Sequence, residues 1–323
     1  MLSSPFQTAG EAPTGKSRLR TVRALEHIRR MRGGAQSQLI RCSDGNYYVV
    51  KFPNNPQGSR ILVNELLGTR FAEILGLPVA QHRVVMVSEE LVTYTEELVI
   101  EMGRGRIPCQ PGPCFGSRFA ADPREAVPQQ ILPDEKLREV ENIGDFLGML
   151  ILDLWTCNTD RRQVIFVRSD KSSRYRAVMI DQGGCFNSSE WNFPDSPLRG
   201  RYWNSAVYEN VRGMAAFETW LDRLESQSVE KAVLSSVGKI PPAWCESESS
   251  SLDCLLNKLI TRRTRVRELL WSAIKSTPRA FPKWVDSPIQ IKEPVIKPCV
   301  PNIQLQLLQV YSQEVDSRSQ EGA

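Results

Sequence analysis

Apolar and polar positions alternate from Gln38 through Leu39 and Ile40, and again through Tyr47, Tyr48, Val49 and Val50, with Asp44, Gly45 and Asn46 forming a turn signal between the two runs. The pattern predicts a β-hairpin ending at Lys51. After the turn-rich PNNPQGS, the apolar residues Ile61, Leu62, Leu66, Phe71, Ile74 and Leu75 fall at helical spacing until Gly76 and Pro78 stop the repeat, which predicts a helix. Two further strands are expected around 81–87 and 97–102. The first part of the chain therefore reads as a small sheet with one helix packed on it.

Residues 105–133 hold many Gly and Pro and little periodicity, which suggests a linker or an irregular insertion. A second unit, 134–275, opens on a strongly amphipathic helix over 134–155. It continues through NTDRRQ, a short strand VIFV, a polar turn, and a strand over 175–180 that runs into Asp181. Helices are expected at about 204–225 and 250–275, and a Pro-punctuated tail over 276–323. Residues 1–19 carry too few apolar side chains to offset the entropy of ordering them and read as a flexible leader before a first unit at 20–104. The class is α+β.

At 323 residues with a formal charge of +4, the chain can bury a large core and shows no charge excess pointing to nucleic acid or another polyanion. Its eight cysteines have no repeated spacing and read as reduced thiols. A zinc site is not expected, because the two histidines, His27 and His82, are far in sequence from the Cys109/Cys114 pair. The first twenty residues lack a continuous apolar stretch, and the longest apolar run, 146–155, is broken by Gly148 and Asp153. No membrane span is expected, and a cytoplasmic location follows.

Four features then stand in a meaningful order: a glycine-containing turn (Gly33, Gly34, Ala35, Gln36, Ser37), a strand-end lysine (Lys51), a glutamate on the next helix (Glu65), and two later aspartates, Asp160 and Asp181. Each alone is compatible with a plain structural role. Together they match what phosphoryl transfer needs: backbone amides and a lysine for phosphates, an acid to orient the lysine, a carboxylate for the hydroxyl proton and one for magnesium.

The stretches MRGGAQSQLIRCSDGNYYVVKF, LVNELLGTRFAEILGLPVA, FLGMLILDLWTCNTDRRQ, AVMIDQGGCF, IPPAW and LLNKLITRRTRVRELL resemble the HipA-like kinase family over roughly 25–275. The resemblance implies a two-lobed protein-kinase-like fold, with a β-rich N-lobe, a mainly helical C-lobe, and ATP and Mg2+ between them. It implies that Gly33 to Ser37 cover the phosphates, Lys51 contacts them and Glu65 pairs with Lys51. Asp160 becomes the catalytic base and Asp181 the metal ligand. Asn158 would brace the catalytic loop or cap a turn, and Arg161 would orient the loop or the substrate. The acceptor would be a hydroxyl, most plausibly a protein Ser or Thr.

One position departs from the pattern. Where kinase-like loops supply a second metal ligand, an asparagine five residues after the base, this chain has Ile165; Gln163 carries an amide that could substitute. The alternatives are a pseudokinase serving as a nucleotide-binding or interaction module, and a toxin–antitoxin component with a small DNA-binding partner. The aromatic segment 191–203 reads as a packed cap or a substrate-shaping segment, and Arg262, Arg263, Arg265 and Arg267 as a solvated helix face.

Overall fold

The computed structural model describes residues 21–124, 128–168, 174–196, 200–245 and 248–285; the expected leader and most of the expected tail lie outside them. The N-lobe is built on β1 (Thr21–Arg30), β2 (Gln38–Cys42), β3 (Tyr47–Lys51), β4 (His82–Val87) and β7 (Gly112–Arg118), which close into a barrel in the order β1-β2-β3-β7-β4. Closure is made by a short parallel pairing of Thr21, Val22 and Arg23 with Val84, Val85 and Met86. A second hairpin, β5 (Val99–Met102) with β6 (Gly105–Pro108), stands beside the barrel, and a short helix α2 (Glu89–Thr93) is capped by the Ser88 hydroxyl.

The expected hairpin and the strand at 81–87 are present, but 105–133 is no linker: it carries β6 and β7, and β7 pairs with both β3 and β4. Its glycine content has a packing cause. A Cβ on Gly116 would lie 2.5 Å from Val85 Cγ2 and 3.4 Å from Tyr48 Cβ, so the barrel admits only glycine at that crossing. Strand β1 was not expected, because the alternation of Thr21 to Ala24 stops at the exposed Leu25 and Glu26, and only Val22 and Ala24 of TVRALEHIRR are buried.

Helix α1 (Arg60–Ile74) is buried nearly all round, since it lies between barrel and C-lobe. Its Leu62, Leu66 and Phe71 join the C-lobe core, where the Phe71 ring stands 5.0 Å from Trp155 and 6.1 Å from Phe186. The barrel interior forms a separate core around Ile40, Tyr48, Val50, Phe52, Val85 and Cys114.

In the C-lobe the single helix expected over 134–155 is two, α3 (Asp134–Leu137) and α4 (Asp145–Thr156). The intervening backbone is drawn off by the hairpin of β8 (Gln163–Arg168) and β9 (Tyr175–Ile180): Tyr175 N donates to Glu139 O, Glu141 N to Tyr175 O, and the Asn142 side chain bonds both backbone groups of Ala177. Over 204–225 only α5 (Glu218–Glu225) is α-helical, preceded by two single 3-10 turns that an extended Gly213 separates. Then come α6 (Gln227–Ser236), α7 (Ser249–Arg262) and α8 (Val266–Ser276), with a 3-10 turn interrupting the helix expected over 250–275. The packed lobe runs on to Val285, beyond the expected boundary at 275: Val285 N donates to Arg212 O, and Phe281 packs on Tyr208.

The arginine run is not a solvated face. Arg262 and Arg263 are buried: Arg262 donates to Leu154 O and pairs with Asp195, and Arg263 pairs with Glu230 and donates to Leu224 O and Ser226 O. Arg265 and Arg267 are the more exposed members, bridged to Asp195 and Glu218.

Candidate active site

Lys51 ends β3, opposite Phe115 on β7, and this register delivers its side chain to the space between the lobes. There Nζ contacts Glu65 Oε1 of α1 and lies 2.9 Å from Asp181 Oδ1 at the end of β9. Glu65 and Lys51 are buried, while the Asp181 side chain keeps 32% of its exposure. Glu65 also accepts from Gln182 N at 3.0 Å, so one carboxylate grips both the lysine and the backbone next to Asp181.

Two carboxylates around one ammonium leave a negative charge in excess. Burial works against the Lys51 ammonium, but Asp181 and Glu65 outweigh it and hold the lysine protonated. Burial also opposes ionisation of Asp181, yet Lys51 and the Gly183 amide hold that carboxyl well below its usual range. The strain falls on Glu65, which burial pushes up to about 7 against the pull of Lys51. Asp181 itself sits at φ 57°, in the left-handed region that non-glycine residues avoid, as do Phe186, Asn187, Ser188 and Trp191 downstream.

The segment expected to form the catalytic loop leaves α4 at Cys157, also left-handed. Asn158 is buried: Nδ2 donates to Asp153 Oδ1 at 2.9 Å, and Oδ1 accepts from Asp160 N at 3.1 Å. Thr159 N donates to Gly184 O at 2.9 Å, tying this loop to the one after Asp181. Asp160 is open to the cleft, and desolvation with the negative charge of Asp181 pushes its carboxyl up. Arg161 is exposed.

Gln163, at the start of β8, donates from Nε2 to Asp181 Oδ2 at 3.2 Å, which puts its amide beside the candidate metal carboxylate. Ile165 is buried with Ala80 and Val178 and, being hydrocarbon, offers no ligand. The turn at 33–37 joins β1 to β2, and the pairing of Gln38 with Val50 brings it beside the Lys51 end of β3. Within the turn Ala35 and Ser37 are buried. The Gln36 side chain turns away to β5, exchanging two 2.8 Å hydrogen bonds with the backbone of Glu101, so only its main chain is left for a phosphate.

Two residues beside the site were not expected there, and one of them, Asn64, read with Glu65 as a possible exposed helix face. Arg162 is buried and spans Asp153, Gln182 Oε1 and the carbonyls of Ile180 and Asp181. Its signal was the acidic Asp153 inside an apolar helix, taken only as an interruption. Asn64, beside Glu65 on α1, is entirely buried and bonded to the loop after Asp181. Trp191 of the aromatic segment packs inside with it, and residues 197–199 of that segment lie outside the described residues.

A family model described as HipA-like kinase matches residues 25–274. Among solved structures, the Helicobacter pylori proinflammatory kinase CtkA is similar at 13% identity and a TM-score of 0.47, over 79% of this chain and 98% of that one. The Golgi casein kinase is similar at 14% and 0.45, over 81% and 74%. HipA of Shewanella oneidensis MR-1, in a toxin–antitoxin complex with HipB and operator DNA, is similar at 13% and 0.44, over 76% and 68%. No curated protein matches.

Proposed function

The chain belongs to the HipA-like kinase family, and we propose that it transfers the γ-phosphoryl group of ATP, with Mg2+, to a hydroxyl, most plausibly a protein Ser or Thr. The observation that carries this reading is Lys51 held between Glu65, on the helix that follows it, and Asp181, which the fold brings in from 130 positions further along the chain. A buried ammonium fixed by two carboxylates is oriented before a phosphate arrives.

The donor set suits Mg2+, which binds through one or two carboxylates, phosphate oxygens and retained water. Here Asp181 is ionised, and Gln163, whose Nε2 now donates to Asp181, would add an amide oxygen once that amide turned over; among the described residues no cluster of three or more His, Cys, Asp or Glu side chains makes a protein-only cage. Bound ATP and Mg2+ supply the transferable group and neutralise its charge. Lys51 would hold phosphate oxygens and the amides of 33–37 would cover them. Asp160, raised by its surroundings, accepts the hydroxyl proton.

The test is transfer of labelled γ-phosphate from ATP and Mg2+ to the protein itself and to a cell lysate, comparing wild type with Asp160→Ala. Label that depends on Asp160 supports a kinase. A second reading, a pseudokinase, is favoured by the hydrocarbon at Ile165; it predicts that ATP raises the melting temperature while no label is transferred. A small DNA-binding partner protein is proposed from the family alone and is checked by co-purification. No helix among the described residues is long and apolar enough to cross a membrane, and a cytoplasmic location is proposed with the family.

A further inference from the structure

Asn64 stands one residue before Glu65 and is fully buried. Its Nδ2 lies 2.9 Å from Gly183 O, 2.9 Å from Cys185 O and 2.8 Å from Ser188 O, while Oδ1 accepts from Trp191 Nε1 at 2.8 Å. The segment so held, 183–191, contains the left-handed Phe186, Asn187, Ser188 and Trp191 and begins two residues after the left-handed Asp181, a conformation that persists only where contacts over-determine it. The turns of α1 on either side also engage it. Arg60 donates to Ser189 O at 2.7 Å and lies over the Trp191 ring at 4.6 Å. At Gly68 a Cβ would stand 2.7 Å from Gln182 Cβ and 3.0 Å from Cys185 Sγ, so the helix approaches this closely only because the residue is glycine.

Three carbonyl oxygens and an indole N–H need, at one point, a donor and an acceptor on the same short side chain. Asparagine supplies both. Aspartate would set a carboxylate against the three carbonyls, and leucine would leave all four groups unpaired. Glu65, next along, takes Gln182 N and Lys51. Two consecutive residues of α1 thus hold two consecutive backbone groups immediately after Asp181.

We infer that Asn64 is a positioning residue for the metal site: by fixing the carbonyls of 183, 185 and 188 it holds Asp181 in the conformation that takes the divalent cation with nucleotide. The inference deepens the phosphotransfer reading and rests on it. Asn64 touches neither substrate nor metal and acts through the backbone of Gly183 to Ser188.

The experiment titrates Mg2+ against binding of a fluorescent trinitrophenyl ATP analogue to the full chain, and repeats the binding in EDTA. Asn64→Asp is expected to raise the Mg2+ midpoint about 10- to 100-fold, as loss of a residue supporting metal ligands does, and to leave affinity in EDTA unchanged. Trp191→Phe, which removes one bond and keeps the ring, should shift it in the same direction by less and serves if Asn64→Asp does not fold. An unchanged Mg2+ midpoint in a folded variant overturns the inference while ATP binding stands. Wild type that fails to bind the analogue at all removes the phosphotransfer reading, and the inference with it.

Discussion

Arg162 donates to both carboxylate oxygens of Asp153, and neither side chain reaches solvent. Asp153 lies on α4 before the catalytic loop, whereas Arg162 also holds Gln182 Oε1 at 2.9 Å and the Ile180 and Asp181 carbonyls at 3.3 Å. The pair therefore sets the spacing of the two loops that carry the candidate chemistry.

Arg162→Met should destabilise the protein by about 3–5 kcal/mol, because it strands a buried carboxylate. Asp153→Leu in the same chain should return part of that loss, since apolar side chains can replace a buried ion pair, but should not return turnover. Urea unfolding of the single and double variants, with γ-phosphate transfer alongside, separates the two effects.

Asp181→Ala should abolish Mg2+-dependent nucleotide binding, whereas Asp160→Ala should keep binding and lower turnover by about 100- to 10,000-fold. Equilibrium binding with and without Mg2+, set against single-turnover transfer, tests the division of labour. Mg2+-dependent affinity retained by Asp181→Ala would remove it as the metal ligand.

Gln163 gives a graded test, because its amide lies 3.2 Å from Asp181 Oδ2. Gln163→Glu adds a second carboxylate at the metal site and should lower the Mg2+ midpoint; Gln163→Ala should raise it. Equal midpoints in all three proteins would place Gln163 outside the site.

A pH effect on stability is expected at His82. The ring is buried on β4, its Nδ1 has no hydrogen-bond partner, and Glu73 Oε1 stands 3.5 Å away. Burial, helped by Arg70 and Arg83, pushes the imidazole down to about 4 from 6.5. The unfolded chain takes up this proton first as pH falls, so the contribution is complete above pH 6.5 and is lost between 6.5 and 4, by roughly 3 kcal/mol at about 1.4 kcal/mol per pH unit. Urea midpoints of wild type should fall across that window more than those of His82→Leu. Parallel falls would show that His82 does not carry the effect.

The hairpin ending at Lys51, the helix that carries Glu65 and the strand that runs into Asp181 were legible because local periodicity marks each element. What stayed hidden depends on distant partners. Strand β1 has a weak pattern because the neighbours that order it, β2 and β4, come later in the chain. In β7, Gly116 reads as a loop residue until Val85 and Tyr48 occupy the space its side chain would need. Asn64 and Arg162 look like surface residues on helix and loop; only the fold brings carbonyls to one and Asp153 to the other.

The pairing of β1 with β4 has a consequence for how a polypeptide acceptor is met. Among the described residues, the barrel is closed where Thr21, Val22 and Arg23 of β1 pair with Val84, Val85 and Met86 of β4. A peptide cannot add a strand between β1 and β4 along that stretch without displacing the pairing, so main-chain extension gives no sequence-blind grip there. On the proposed reading, selection of a polypeptide acceptor would then fall to side chains lining the cleft around Asp160.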